Sequence, residues 1–341
     1  MTVSESEIRS LPKAEVHVHF EGGFEIADLL ELAGGRLPIP VERVFDPSAH
    51  VQPGDSPLSG FLRFLDWQCG LVVTAEQAAR MAYRFVARQA ASGIRYSDVI
   101  INPTHWGAWA GRVPALLEAI AAGFEDAQHD GLGGANLAYS LLRSQTAGEA
   151  DEIVDWLISA RPSRVVALSV DGDERTTGRT GEKFAAAFTR ARDAGIRRTV
   201  HAGESSGPEG VWDALQLLHA ERIDHGVRAI GDPALVDTLA SSGVSLGICA
   251  TSNLILGLYP TVADHPIDAL SRAGVRVTIN TDDPQPIGTR LEREWAVVAE
   301  AFGWDRARII ELATTSVDVS FADDDTKRDL LAAIELRAVG A

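Results

Sequence analysis

The sequence predicts an α/β protein with the (β/α)8 TIM-barrel architecture and extra helices inserted after strand 1. Short runs of β-branched and apolar residues recur eight times along the 341 residues. The segments between them place apolar residues at helical spacing, and several end in glycine, where a left-handed helix C-cap fits. A doubly wound sheet is the alternative, but no glycine-rich phosphate turn follows the first strand.

Eight strands are expected where β-branched and apolar residues cluster. They lie near residues 15–20, 95–101, 135–142, 164–170, 197–201, 222–225, 244–249 and 275–280. Helices such as "AEQAARMAYRFVARQAA" and "GEKFAAAFTRARDAG" separate them. The glycines that end helices before a strand are Gly93, Gly195, Gly243 and Gly274. Alternating strands and helices of this number favour a closed parallel barrel.

The long segment between strands 1 and 2 departs from this pattern. We expect one domain over residues 1–341, with a helical lid insertion at about 24–92. The aromatic residues of "FLRFLDWQCGL", Phe61, Phe64 and Trp67, are expected to pack on the barrel. Insertions above the C-terminal face of a barrel also commonly roof a pocket, so part of the segment can serve both purposes.

Composition and charge exclude several classes of partner. The formal charge of -17 argues against nucleic acid and against an anionic membrane, but it does not exclude a small molecule. Cys69 and Cys249 are too few and too far apart for a disulfide framework. There is no signal-peptide pattern and no apolar run near the ~20 residues of a membrane helix. A cytoplasmic protein is expected, and both monomer and homo-oligomer remain open.

The stretch "AEVHVHFEGG" places two histidines one residue apart in an apolar strand. Because side chains of a strand alternate between faces, His17 and His19 point the same way. Two nitrogen donors on one face suit a metal ion, and they equally suit a pair of hydrogen-bonded core histidines. This motif alone leaves both interpretations open.

Other strand ends carry further ionisable residues. Strand 5 ends in "TVHAGESSG", with His201 and Glu204, and strand 6 ends in "RIDHG", with His225. Strand 8 ends in "TINTDDPQP", with Asp282 and Asp283. The C-terminal ends of barrel strands meet at one face, where barrel enzymes build their active sites. Together with the first two histidines, these residues predict one site.

The set divides by chemical type into metal ligands and catalytic groups. Three imidazoles and one carboxylate suit a catalytic zinc site, and they are His17, His19, His201 and Asp282. Zinc lowers the pKa of a bound water to about 7. Glu204, His225 and Asp283 remain for acid–base chemistry, for orienting the nucleophile and for contacting substrate.

The motifs "HVHFEGG", "HAGE", "DHG" and "NTDDP" resemble, in this order, those of the adenosine deaminase family within the amidohydrolase-type barrels. The resemblance implies hydrolytic deamination of an aminopurine to the 6-oxo purine and ammonia, with one Zn2+ per chain on the four ligands above. It also implies that Glu204 protonates a ring nitrogen, that His225 positions the nucleophile and that Asp283 binds the five-membered ring. In "VDGDE", the backbone N–H of Gly172 would contact the other side of the ring.

Other classes fit the sequence less well. Many amidohydrolase-type barrels hold two metals on a carboxylated lysine, but strand 4, "RVVALSVDGD", contains no lysine. The zinc deaminases of the cytidine type need a cysteine pair that the chain lacks. A non-catalytic metal-binding barrel would not need Glu204.

Four positions depart from the pattern of the family and bear on the substrate. Glu21 stands where aspartate is common, Ile100 where arginine is usual, Asp171 where a small apolar residue is usual and Ala250 where proline is common. They represent either neutral drift or a specialised substrate. Glu21 is predicted to bind substrate. Adenosine or a modified adenosine nucleoside is the preferred substrate, and free adenine is the alternative.

Overall fold

Eight parallel strands form one sheet, in chain order, in the computed structural model, which describes residues 3–46, 49 and 57–339. The strands are β1 Lys13–His19, β2 Ile94–Ile101, β3 Gly134–Leu142, β4 Val165–Asp171, β5 Arg197–Ala202, β6 Arg222–His225, β7 Ser245–Ile248 and β8 Val277–Ile279. A bridge between Val18 and Asp282 joins the end of the last strand to the first. The prediction of a (β/α)8 barrel is therefore confirmed.

Helices follow the strands around the outside of the barrel. They are α1 Glu5–Ser10, α2 Ile26–Leu32, α3 Pro57–Cys69, α4 Ala75–Ala91, α5 Val113–His129, α6 Ala147–Ala160, α7 Glu174–Thr177, α8 Gly181–Asp193, α9 Pro208–Gln216, α10 Pro233–Ser242, α11 Ala250–Ile255, α12 Ile267–Arg272, α13 Pro284–Ile287, α14 Leu291–Phe302, α15 Arg306–Asp318 and α16 Asp324–Val339. None of the helices in the described part of the chain combines the length and apolar character needed to cross a bilayer.

Local sequence explains where these helices begin and end. Thr74 and Thr146 start α4 and α6 with capping boxes, in which each hydroxyl accepts a backbone N–H of the first turn. Gly243 has a φ of 73° and follows α10 directly, so this glycine provides the left-handed conformation that a C-cap requires. Such signals are local, so they are present in the sequence itself, as at the quoted α4 segment and at Gly243.

The predicted extra helices after strand 1 are present as α2, α3 and α4. Phe64 of α3 is buried, and its ring centroid lies 6.3 Å from that of Phe61 and 5.9 Å from that of Trp67. Part of the predicted insertion, residues 47–48 and 50–56, lies outside the described residues. The aromatic cluster anchors α3 above the C-terminal ends of the strands, where the candidate site lies.

A buried ion pair between β2 and β6 lies inside the barrel. Nη1 of Arg222 lies 2.8 Å from Oδ2 of Asp98, and the guanidinium carbon lies 4.3 Å from the ring centroid of Phe321. Ile100, one of the departures from the family pattern, packs in the same region against Phe321 and Ala138. These contacts fill part of the barrel interior.

Candidate active site

The four predicted metal ligands converge at the C-terminal end of the barrel. Nε2 of His201 lies 3.1 Å from Nε2 of His17 and 3.1 Å from Nε2 of His19. Oδ1 of Asp282 lies 3.3 Å and 3.4 Å from the same two nitrogens of His17 and His19. The sequence placed these residues on β1, on β5 and after β8, and closure of the barrel brings them together.

The donor atoms fit a divalent metal ion. Ligands held about 2.0–2.1 Å from a tetrahedral zinc ion are separated from one another by roughly 3.3 Å, which matches the separations of 3.1–3.4 Å found here. Two facing lone pairs repel, so each pair of facing nitrogens holds either a hydrogen or a metal ion between its members. His17, His19, His201 and Asp282 therefore form a candidate metal site.

The other ring nitrogens of the three histidines face oxygen acceptors. Nδ1 of His17 lies 2.7 Å from the carbonyl oxygen of Gly247, which can only accept. The hydrogen of this ring must then be on Nδ1, which leaves Nε2 with a free lone pair for a metal. The remaining two pairs are looser, His201 Nδ1 to Asp224 Oδ2 at 3.5 Å and His19 Nδ1 to Asp171 Oδ2 at 4.0 Å.

Two site residues have unusual backbone conformations. His225 has a φ of 65° and Asp282 a φ of 63°, a region that residues other than glycine rarely adopt. Such strain is typical of functional sites, where neighbouring contacts maintain it. Oδ2 of Asp282 accepts a hydrogen bond from Oγ of Ser252 at 2.6 Å, which leaves Oδ1 directed at the histidines.

Glu204 lies three residues after the ligand His201 and is buried. Burial raises the pKa of its carboxyl to about 8, and the negative charges of Asp282 and Glu174 act in the same direction. A carboxyl group with this pKa can hold a proton near neutral pH and release it to a substrate. Glu204 therefore has the properties of a general acid.

The loop that carries Glu204 is bound by another buried carboxylate. Oε1 of Glu174 accepts from the backbone N–H of Gly203 at 2.9 Å, and Oε2 accepts from those of Glu204, Ser205 and Ser206 at 3.0, 2.9 and 3.1 Å. The guanidinium of Arg143 lies 3.5 Å from the same carboxylate and donates to the backbone carbonyl of His201. Glu174 and Arg143 together hold the end of β5 and the loop that follows it in one arrangement.

His225 lies between the general-acid candidate and the metal ligands. Its Nε2 is 3.5 Å from Oε1 of Glu204 and 4.0 Å from Oδ2 of Asp282. Burial lowers the pKa of the ring to about 3, so the imidazole is neutral at physiological pH. A neutral imidazole can donate one hydrogen bond toward the metal site.

Asp283 lines the cavity beside the metal site and packs closely on Gly22. A Cβ atom added to Gly22 would lie 2.3 Å from Oδ1 of Asp283, so only glycine fits there. This Oδ1 is buried and has no hydrogen-bond partner among the described residues. Burial, together with the negative charge of Asp282, raises the pKa of Asp283 well above its usual range. This shift favours the protonated form of the carboxyl, which can donate to a ligand.

The cavity above these groups has a volume of about 80 Å3. Its apolar wall comes from α3, through Leu58, Phe61, Leu62 and Leu65. Its polar wall includes Gly172, Asp171 and His105. No lysine or arginine is among the described residues that line it. The cavity suits a flat, largely apolar molecule without a negative charge.

Glu21, predicted to bind substrate, does not line this cavity. Its Oε1 accepts hydrogen bonds from Nε1 of Trp106 at 2.7 Å and from the backbone N–H of Asn102 at 3.0 Å. Strand β1 ends at His19 and a 3-10 turn follows at Glu21–Gly23, so the alternation of the strand does not continue to Glu21. Asp171 lies at the cavity instead, and its Oδ1 accepts from Nδ2 of Asn102 at 2.5 Å.

Sequence reasoning did not identify several residues that contact the site. They are Glu174, Asp224, Ser252 and Asn253. A signal existed for Asp224, since it is a carboxylate inside the buried strand β6, and for Glu174, since it ends the quoted motif "VDGDE". Ser252 and Asn253 belong to α11 and give no such signal, because only the tertiary fold brings this short helix to the cavity.

Comparisons with known proteins agree with this geometry. Residues 12–336 match the family model described as adenosine deaminase. The chain is 35% identical over 332 residues to the adenosine deaminase of Serratia proteamaculans strain 568. The matched region covers 94% of this chain and 97% of that relative. The chain is 33% identical over 330 residues to the adenosine deaminase of Salmonella typhi, with 94% and 97% covered.

Solved structures give the same result. The adenine deaminase of Arthrobacter aurescens is 27% identical, with a TM-score of 0.88 over 97% of this chain and 100% of that one. An amidohydrolase from Burkholderia ambifaria with bound zinc is 28% identical, with a TM-score of 0.86 over 98% and 93%. The protein therefore belongs to the adenosine deaminase family of hydrolytic, metal-dependent deaminases.

Proposed function

We propose that the protein is a zinc-dependent deaminase that converts adenosine, or a modified adenosine nucleoside, to the 6-oxo purine nucleoside and ammonia. Water supplies the oxygen, a C–O bond forms at the carbon bearing the amino group, and the C–N bond at that carbon breaks. One proton of water leaves with ammonia and the other stays on the ring nitrogen of the 6-oxo product, so no oxidation state changes and no redox cofactor is needed. The observation that carries the substrate assignment is the placement of Asp171, rather than Glu21, at the cavity.

One Zn2+ per chain would be held by His17, His19, His201 and Asp282. When bound, it supplies a nucleophile at neutral pH by lowering the pKa of water to about 7. The relative from Burkholderia ambifaria was solved with zinc, and the set of three imidazoles and one carboxylate suits this ion.

The residues around the metal site would carry out the proton transfers. Glu204, protonated because it is buried, donates to the ring nitrogen beside the attacked carbon. This proton removes the negative charge that would otherwise form on the ring when its aromaticity is lost. His225 orients the nucleophile through Nε2. Asp283 donates to the five-membered ring, and the N–H of Gly172 contacts the ring from the opposite side.

The walls of the cavity would select the substrate. Asp171 can accept hydrogen bonds from ribose hydroxyls. Its negative charge disfavours a substrate with a phosphate group. The described residues that line the cavity include no lysine or arginine that could bind such a phosphate. The carboxylate of Glu21 is turned toward Trp106 and Asn102, so it leaves the space next to the base open. We also propose a single domain in which α3 acts as the lid over the bound purine.

Free adenine is the second candidate substrate. The observation in its favour is that the solved relative from Arthrobacter aurescens is an adenine deaminase. Adenine lacks the ribose, and it would leave Asp171 without a hydroxyl partner. Oδ1 of Asp171 would keep its hydrogen bond from Asn102, but the carboxylate would lose the bond from a ribose hydroxyl. A hydrogen bond to a charged group contributes about 1.5–3 kcal/mol, which corresponds to a preference for the nucleoside of roughly tenfold or more.

Ammonia release from a panel of aminopurines tests the assignment. We expect kcat/KM for adenosine to exceed the values for adenine and for AMP by at least about tenfold. Asp171→Asn should raise the activity on AMP relative to that on adenosine. Metal content should be measured on the same variant, because Asp171 also faces the proposed metal ligand His19. Higher kcat/KM for adenine than for adenosine would contradict the nucleoside assignment.

A further inference from the structure

A chain of hydrogen bonds leads from the outer part of the barrel to the two catalytic candidates. The backbone N–H of Ile267 lies 3.2 Å from Nδ1 of His265, and Nε2 of His265 lies 3.0 Å from Oδ1 of Asn253. His265 and Asn253 are both buried. The ring of Tyr259 packs against His265 with a centroid distance of 4.8 Å. Neither Asn253 nor His265 has a role in the mechanism above.

The first member of the chain determines the direction of the others. A backbone N–H can only donate, so Nδ1 of His265 is an acceptor and carries no hydrogen. Burial lowers the pKa of this ring to about 4, which keeps it neutral. The single ring hydrogen is then on Nε2 and is donated to Oδ1 of Asn253. The amide of Asn253 can therefore take only one orientation, with Nδ2 toward the active site.

At the active site, Nδ2 of Asn253 meets both catalytic candidates. It lies 3.4 Å from Oε1 of Glu204 and 3.4 Å from Nδ1 of His225. An amide nitrogen carries two hydrogens and can donate to both. Nδ1 of His225 is then an acceptor, so the hydrogen of this neutral ring is on Nε2, which lies 3.5 Å from Oε1 of Glu204.

We infer that Asn253, oriented by His265, is a positioning residue that sets the hydrogen positions of His225 and Glu204. Asn253 makes His225 a donor at Nε2, so this ring orients the nucleophile by donation and does not take a proton from it there. Because Oε1 of Glu204 faces the Nδ2 donor of Asn253, the proton that Glu204 transfers is on Oε2. The inference rests on the proposed roles of Glu204 and His225.

Two substitutions of Asn253 separate positioning from packing. Asn253→Asp keeps the volume and the acceptor for His265, but it places an acceptor against Oε1 of Glu204 and Nδ1 of His225. Asn253→Ala removes the side chain and leaves a cavity. If Asn253 acts through its donors, Asn253→Asp should lower kcat at least as much as Asn253→Ala, about 10- to 100-fold, as expected for groups that orient catalytic residues. KM should change by less than about threefold. Metal content should stay at the wild-type value.

A second pair of variants tests the role of His265. His265→Phe keeps a ring against Tyr259 but removes the donor to Asn253, so kcat should fall about tenfold. The same substitution in the Asn253→Ala background should have no further effect on kcat, because His265 acts through Asn253. Asn136→Asp is the matched control, since Asn136 lies at the opposite end of the barrel, bonds to Tyr96 and should leave kcat unchanged.

The outcomes distinguish this inference from the proposed function. An inactive wild-type protein, or a fully active Glu204→Gln variant, would overturn the proposed function. An active wild type in which Asn253→Asp is milder than Asn253→Ala would overturn the positioning role, since volume would then matter more than hydrogen-bond donation. If Asn253→Asp does not fold, additive losses of kcat for His265→Phe and Asn253→Ala would overturn it equally.

Discussion

The carboxylate of Glu174 accepts a hydrogen bond from the backbone N–H of Glu204 at 3.0 Å. It also binds the N–H groups of Gly203, Ser205 and Ser206, so one buried side chain shapes the whole loop after β5. Carboxylates that accept several backbone N–H groups form strong, charge-assisted hydrogen bonds. The position of the proposed proton donor is thus set by the backbone and does not depend on the Glu204 side chain alone.

Substitution of Glu174 should therefore impair catalysis. In Glu174→Gln an NH2 group replaces one of the two oxygens, so at least one of the four N–H groups loses its acceptor and the loop must shift. We expect kcat for ammonia release to fall about 10- to 100-fold, while substrate KM changes less. Glu182→Gln, on the exposed start of α8, is the control. Wild-type kcat in Glu174→Gln would show that the loop does not need this anchor.

A methyl group at Gly22 should displace Asp283. The added Cβ would lie 2.3 Å from Oδ1 of Asp283, and this side chain faces the cavity. Gly22→Ala should raise KM for the purine, and Asp283→Asn should raise it in the same way with metal content unchanged. In Gly22→Ala the Cα of Asp283, 2.4 Å from the added Cβ, must move as well, so the neighbouring ligand Asp282 shifts and metal content should fall. Gly107→Ala is the control because nothing lies within 4 Å of an added Cβ there. Steady-state kinetics measure the effect, and an unaltered KM in Gly22→Ala would contradict the contact.

Metal analysis should show one tightly bound divalent ion per chain. His17→Ala and His201→Ala each remove one of four donor atoms, so metal and activity should be lost together. Exhaustive chelation of the wild type should abolish ammonia release, and added zinc should restore it. Two equivalents in the active form, or full activity after chelation, would contradict the single-ion site.

Lys13 should make stability depend on pH. Its amine is buried, donates to the backbone carbonyls of Ile8 and Leu11 at 2.9 and 3.0 Å, and burial lowers its pKa to about 7. Between about pH 7 and 10, the unfolded chain therefore binds more protons at this group than the folded protein, and stability rises with pH.

Denaturant unfolding of Lys13→Met against the wild type isolates this contribution. Above pH 7, the free energy of unfolding of the wild type should rise relative to that of Lys13→Met by up to about 1.4 kcal/mol per pH unit. Below pH 7 the difference between the two proteins should stay constant. If the difference in the free energy of unfolding between the two proteins is constant from pH 6 to pH 10, Lys13 is charged in the folded protein.

The sequence was sufficient for the barrel and for most of the cluster of site residues. Strand runs and glycine caps are local signals, and barrel closure then determines that residues at strand ends, such as His201 and Asp282, meet. The orientation of Glu21 was not predictable, because β1 ends two residues earlier and a turn redirects the side chain. Glu174 and Asn253 could not be assigned either, since their partners are distant in sequence.

The central claim is that Glu204 transfers the proton in a metal-dependent deamination. Glu204→Gln keeps the size of the side chain but cannot transfer a proton in this way, and it leaves the four metal ligands intact. The decisive measurement is kcat for ammonia release from adenosine by Glu204→Gln, with the metal content determined on the same sample. We predict wild-type metal content and a kcat at least ~10²-fold lower. A metal-loaded Glu204→Gln protein with near-normal kcat would contradict the mechanism.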